Sequence, residues 1–306
     1  MEVMKISLAE NFRAVFYAPF YALRSLDFAA REGVTVEWLE PRAPGTVFNE
    51  VKRGAVDVAW GGPMRVMRDL EVNPKSGSSL LCFGEVVSRD PFFLVGKSEL
   101  RNFNLTALAS MRLGVVSEVP TPWLCLQADL KAAGIDVAMM SDANRVIDEL
   151  TMQQQVLAMK AGDLDVIQLF EPYVSEVLAE RTGRLLYAAC DRGPTVYTTF
   201  ICSRDGMARN QCALAALTRA LREVQDWIIA HGPNELAHVV APFFPDISDS
   251  LLLSSIRRYY DCGIWASSPG ISSIGFARLT HSLKSAGFIA SAADYDSCVH
   301  CFEEIA

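Results

Sequence analysis

No run of about 18 apolar residues occurs in this chain, so no segment of it is long enough to cross a bilayer as a helix. Basic residues are in the minority. Against 36 Asp and Glu stand 28 Lys and Arg, and a net charge of −8 leaves no basic stripe to displace counterions from a nucleic acid. Histidine is scarce, four in all, and His231, His238 and His281 lack the paired spacing of a zinc site. Also missing are a Gly-x-Ser-x-Gly elbow, a metalloprotease His pair and a phosphate-binding Gly-rich loop. The amino terminus, Met1-Glu2-Val3-Met4-Lys5-Ile6, shows none of the regions of a secretory signal. A cytoplasmic location is therefore expected for the sequence as written, and a periplasmic one if a leader has been removed.

What the chain does have is bulk and a repeat. With 306 residues, 51% of them hydrophobic, it can bury two cores of about 150 residues each. Its eight cysteines are scattered through apolar surroundings such as Leu81-Cys82-Phe83, which suits buried thiols better than a disulfide framework. Cys298-Val299-His300-Cys301 lacks a second ligand pair and is read as a tail pair of thiols, so no metal is expected. The segment Lys52-Arg53-Gly54-Ala55-Val56-Asp57-Val58-Ala59-Trp60 returns as Lys160-Ala161-Gly162-Asp163-Leu164-Asp165-Val166-Ile167. Each copy is a Gly-capped helix end leading through Asp into an apolar strand. One such strand in each half predicts two α/β lobes with a cleft between them.

The order of elements supports this. Strands are expected at 5–9, 34–39 and 56–60, with a helix from Pro19 to Arg31 and another from Thr46 to Arg53; this is the β-α-β-α-β order of a doubly wound sheet. Ser88-Arg89-Asp90-Pro91 reads as a crossing to a second series, with strands at 112–116, 137–140, 165–170, 184–189 and 197–203. Helical spacing of Leu214, Leu217, Leu221, Val224 and Ile228 opens a helical last third. The expected division is 1–88 plus 204–306 for a discontinuous first lobe and 89–203 for the second, with a hinge at the crossings.

Several segments in this order resemble the bacterial solute-binding proteins for alkanesulfonates, nitrate and taurine, a family that includes thiamine-pyrimidine-synthase-like proteins. They are Gly45-Thr46 through Ala59-Trp60-Gly61-Gly62-Pro63, Leu113-Gly114-Val115, Ala161-Gly162-Asp163-Leu164-Asp165 with Glu171-Pro172-Tyr173, Gly263-Ile264-Trp265-Ala266, and Leu283-Lys284-Ser285-Ala286-Gly287-Phe288. The resemblance implies a type II periplasmic-binding-protein fold, with ligand held between two hinged lobes. It also implies an ABC permease as a partner. Related pyrimidine synthases would carry a pyridoxal-binding Lys after the third strand and a run of cysteines in the second lobe, whereas this chain has Trp60-Gly61-Gly62 at the first place and, in place of the run, only Cys190 and Cys202. A related desulfinase would use a cysteine in the first loop, and 11–20 contains none. No cofactor and no catalytic residue are expected.

Ligands in such sheets lie beyond the carboxyl ends of strands, near helix amino termini. Four loops qualify. Asn11, Phe12, Arg13, Phe16 and Tyr17 could stack a ring and pair an anion with Arg13, or be a solvated Arg beside core aromatics. Gly61 and Gly62 let a ligand approach the backbone, unless they serve the turn alone, and Arg65 follows as a secondary candidate. In the third loop, Ser117, Glu118, Thr121 and Trp123, Glu118 would repel a dianion or accept a hydrogen bond from an amine, and Trp123 is a platform or core. Glu171 faces the cleft or caps its helix, next to Tyr173. Thr195, Tyr197 and Thr198 add hydroxyl donors. The expected function is capture of a small polar solute, ring-containing or anionic, for an ABC-type uptake system. The alternative is a cytoplasmic enzyme or ligand sensor of the same fold for a small aromatic or pyrimidine-like compound.

Overall fold

The computed structural model describes residues 4–40, 44–73 and 79–302. Among these residues, ten strands form two mixed five-stranded sheets. Met4–Ala9 (β1), Val34–Leu39 (β2), Val58–Gly61 (β3), Leu80–Val87 (β4) and, much later, Thr198–Ser203 (β10) make the first, in the order β2-β1-β3-β10-β4. Phe93–Gly96 (β5), Leu113–Gly114 (β6), Val146–Ile147 (β7), Val166–Leu169 (β8) and Arg184–Ala188 (β9) make the second, in the order β7-β6-β8-β5-β9. The two Gly-Asp-strand repeats become β3 and β8, at the middle of each sheet. Both lie between a parallel neighbour, β1 or β6, and an antiparallel one, β10 or β5. That internal likeness places the carboxyl ends of β3 and β8 in corresponding positions of the two lobes.

Three expectations need correction. First, β10 pairs with β3 and β4, so 198–203 belongs to the first lobe and the return crossing is 193–197 rather than 203–204. Second, 137–140 is not a strand: the Asp136 carboxylate accepts the Ala138 and Met139 amides, and this N-cap starts the helix Val137–Asp142. Third, the helix after Pro19 stops at Ser25, because Asp27 takes a left-handed conformation (φ 52°) before a short second helix, Phe28–Arg31.

The first sheet is covered by the helix Arg204–Val240, whose buried Leu214, Leu217, Leu221, Val224 and Ile228 form the predicted stripe; it breaks at Gly232, before Pro233. Strand β4 lies at the edge of its sheet, and later chain covers it. The amides of Glu85, Ser88 and Ala266 bond Pro269 O, Ile264 O and Val86 O, while the His300 amide donates to Cys82 O. Apolar packing continues between the lobes, where Phe16 meets Phe170 edge-on at 5.6 Å between ring centroids. Cys298 is buried and Cys301 exposed, so the two thiols at the tail sit in different surroundings. No helix among the described residues is long and apolar enough to cross a membrane.

Candidate functional site

The loop after β1 carries Asn11, Phe12, Phe16 and Tyr17 to the lobe interface, and the loop after β3 carries Gly62, Met64 and Arg65. From the second lobe come Phe92, Val119, Pro120 and Thr121, and from the return crossing Tyr197. The cavity they enclose is about 30 Å³, space for a water or two. Its walls are rings set edge to face: Phe12 against Tyr17 at 5.3 Å, Phe16 against Tyr17 at 4.4 Å, and Phe16 against Tyr197 at 6.3 Å.

Two helices begin at this cavity from opposite lobes, Met64–Val72 and Thr121–Ala132. Their first residues line it, so the partial positive charge of both amino termini is directed at the same space. Arg65 adds a full charge. Its guanidinium lies 4.8 Å from the centre of the Phe48 ring and against Gly45, where a β-carbon would come within 2.7 Å of Nη1. Burial lowers its pKa, opposed by the neighbouring Tyr17; even so an arginine stays charged. Among the described residues no carboxylate pairs with it. Tyr17 is fully buried with the Asn11 and Thr198 side chains near its hydroxyl, and burial raises its phenol pKa, so it is a neutral donor. Asn11 Oδ1 in turn accepts the Gly45 amide at 2.7 Å. The Tyr197 hydroxyl has no hydrogen-bond partner among the described residues. A cation with no carboxylate and a hydroxyl with no hydrogen-bond partner among the described residues, together with two helix starts, therefore surround one small aromatic cavity.

Of the seventeen residues singled out from sequence, Asn11, Phe12, Phe16, Tyr17, Gly62, Arg65, Thr121 and Tyr197 line this cavity. The other nine do not. Arg13 turns away: Nε and Nη2 bond the buried Glu10 carboxylate at 3.1 and 2.8 Å, Nη2 reaches Glu40 at 3.2 Å, and Nη1 donates to Phe243 O at 3.1 Å. Its charge is already neutralised, and hydrogen bonding to Glu10 raises its pKa. Gly61 serves packing, since a β-carbon there would lie 2.5 Å from Phe48 Cζ. Ser117 and Glu118 are exposed; Glu118 accepts the Met152 amide at 2.8 Å and so caps the helix Met152–Ala161. The repulsion expected from Glu118 is thus absent from the cavity. Trp123 packs against the second-lobe core, and Thr195 is tied into the crossing through its amide, 2.7 Å from Ser88 O.

Glu171 is wholly buried and bonds Ser175, Ser255 and Arg258 instead of a ligand. With Tyr173 it lines a separate, more open recess of about 540 Å³ beside Arg13, Phe170 and Phe243. Sequence reading passed over Met64, Phe92 and Phe48. Apolar residues next to a Pro or Gly turn were the available signal for the first two, and nothing local marks Phe48 as the ring beneath Arg65.

Solved structures with this arrangement include the periplasmic aliphatic sulphonate binding protein SsuA of Escherichia coli, with TM-score 0.77, 13% identity, and coverage of 97% of this chain and 92% of that one. The periplasmic nitrate-binding protein NrtA of Synechocystis PCC 6803 matches with TM-score 0.70 and 15% identity over 98% and 86% of the two chains. At these identities the likeness establishes the two-lobed periplasmic-binding-protein fold. In sequence, YtlA of Bacillus subtilis (strain 168), provisionally named a binding protein, is 22% identical over 257 residues, 83% of this chain and 75% of its own length. The NMT1-like family model matches residues 12–241, more than half of the chain, and the protein belongs to that family.

Proposed function

We propose that this protein captures a small anionic solute between its lobes, as the substrate-binding component of an ABC-type uptake system, with Arg65 as the charge partner. The observation that carries this reading is Arg65 itself: a half-buried guanidinium with no carboxylate partner among the described residues, at a cavity where two helices begin. Leaving such a charge without a counter-ion is costly, and an anionic head group would supply one through two parallel hydrogen bonds. The Phe12, Phe16, Tyr17 and Tyr197 rings would hold a flat or short apolar body beside it. A void of about 30 Å³ implies that the lobes part to admit the solute and close around it. The likeness to proteins named for sulphonate and nitrate binding supports an anion and an uptake partner. A permease partner requires the protein to work outside the cytoplasmic membrane, which mass spectrometry of its native amino terminus would check.

Titration calorimetry against short sulfonates, nitrate, aromatic carboxylates and neutral pyrimidines tests the reading. An anion should bind, and Arg65→Met should weaken it tenfold or more, since a hydrogen bond to a charged group contributes ~1.5–3 kcal/mol and about 1.4 kcal/mol is tenfold. Arg13→Ala should leave the affinity within about twofold, because its charge is satisfied by Glu10. Tightest binding by a neutral compound, insensitive to Arg65→Met, would overturn the assignment.

A further inference from the structure

The helix Asp249–Asp261 grips both lobes. It packs on the first-lobe helix Arg204–Val240, with Leu252 and Ile256 buried in the shared core. Arg257 fixes it there, Nη2 donating to Asn234 Oδ1 at 3.0 Å. The next residue, Arg258, turns to the second lobe and donates through Nε to Oε1 of Glu171, which follows β8. Ser255 Oγ reaches Glu171 Oε2 at 3.3 Å, and Tyr259 Oη accepts the Glu171 amide at 2.9 Å. The Tyr259 ring also stacks on Phe93 of β5, 6.2 Å between centroids. Within its own lobe, the Glu171 carboxylate accepts the amide and the hydroxyl of Ser175, both at 2.9 Å. Those two bonds survive a separation of the lobes. The bonds to Arg258, Ser255 and Tyr259 do not, unless the helix peels off the first lobe.

We propose that Glu171 and the helix face formed by Ser255, Arg258 and Tyr259 are a releasable clasp that holds the lobes closed and sets how readily the cleft opens. With the clasp fastened, the Glu171 side chain is 0% exposed, and Arg258 and Ser175 offset the cost of burying its charge. When it is released, the carboxylate gains water and keeps Ser175. The Arg258 side chain, already 26% exposed, swings into solvent. Neither state leaves a buried charge unpaired, so the two can interconvert as whole arrangements. Glu171 lines the larger recess and not the cavity of Arg65, so the clasp acts on closure without touching a solute held there. A solute that binds the closed form is then held more tightly in proportion to the share of protein that the clasp keeps closed. That last step rests on the binding reading above; the clasp itself does not.

The test is small-angle X-ray scattering and amide hydrogen exchange on the whole protein without added solute, comparing wild type with the double variant Glu171→Gln/Arg258→Met. Removing both charges together leaves neither buried alone, which avoids the loss of folding that either single change risks. The radius of gyration of the double variant should exceed that of wild type. Its residue-171 amide, which keeps Tyr259 as acceptor, should exchange about tenfold faster. The Val166 amide, bonded to Arg112 O at 3.2 Å inside the second lobe, should exchange at the wild-type rate. Ser255→Ala should move the scattering and the residue-171 exchange in the same direction by less. An unchanged radius of gyration in the double variant would overturn the proposal. So would equal quickening at residues 171 and 166, the mark of a general loss of stability. Neither readout involves a solute, so a failed clasp and a failed anion site give different results.

Discussion

Glu85 lies on β4, 2% exposed, its carboxylate accepting the Ser272 amide at 2.8 Å through one oxygen while the other has no partner among the described residues. Burial pushes its pKa from 4.5 to about 7, and the Ser272 amide opposes this only in part. Between those values the folded protein holds a proton that the unfolded chain has released. Stability from this group is therefore complete below about pH 4.5 and is lost as pH rises through about 7. Glu85→Gln keeps the bond to Ser272 without the titration. In urea denaturation it should be the more stable protein at pH 8, by roughly 2–3 kcal/mol, and close to wild type at pH 5. The two arginines show how far single residues were legible. Arg13 and Arg65 both follow strands at the ligand edge, and sequence gave the preference to Arg13. Glu10, three residues before Arg13, was the visible sign that its charge was already taken. Nothing near Arg65 in sequence shows that no acid among the described residues pairs with it, because Phe48 and Gly45 reach it through folding.

At the scale of elements, short-range chemistry decided several boundaries. Asp136 turned an apolar stretch, Val137 to Met140, from an expected strand into a helix by capping two amides. Asp136→Ala should cost about 1 kcal/mol, a typical value for a lost N-cap, measured as a shift in urea midpoint with an unchanged slope. Helices with strong local signals were legible, the stripe from Leu214 to Ile228 above all. Strand membership was not. Thr198 to Ser203 reads as an apolar strand in either lobe, and only pairing with β3 and β4, far away in sequence, assigns it. The two repeats at β3 and β8 succeeded because they carry a helix cap, a turn and a strand together, so each fixes its own local structure before any partner arrives.

For the molecule as a whole, the second lobe is one continuous stretch of chain, whereas the first is assembled from residues on both sides of it. Its outermost strand, β4, is covered by 264–270 and by His300. A chain emerging from the ribosome can finish the second lobe while β4 still presents unpaired amides and carbonyls to solvent. Such an edge is a template for another strand. Shortening the protein to end before 264 should therefore produce concentration-dependent association, visible as light scattering during refolding, beyond any simple loss of stability. The late arrival of this cover ties protection of the sheet to the order of synthesis: the segment that shields the sheet from its neighbours is made only after all ten described strands, and an interrupted chain is the one most exposed to aggregation.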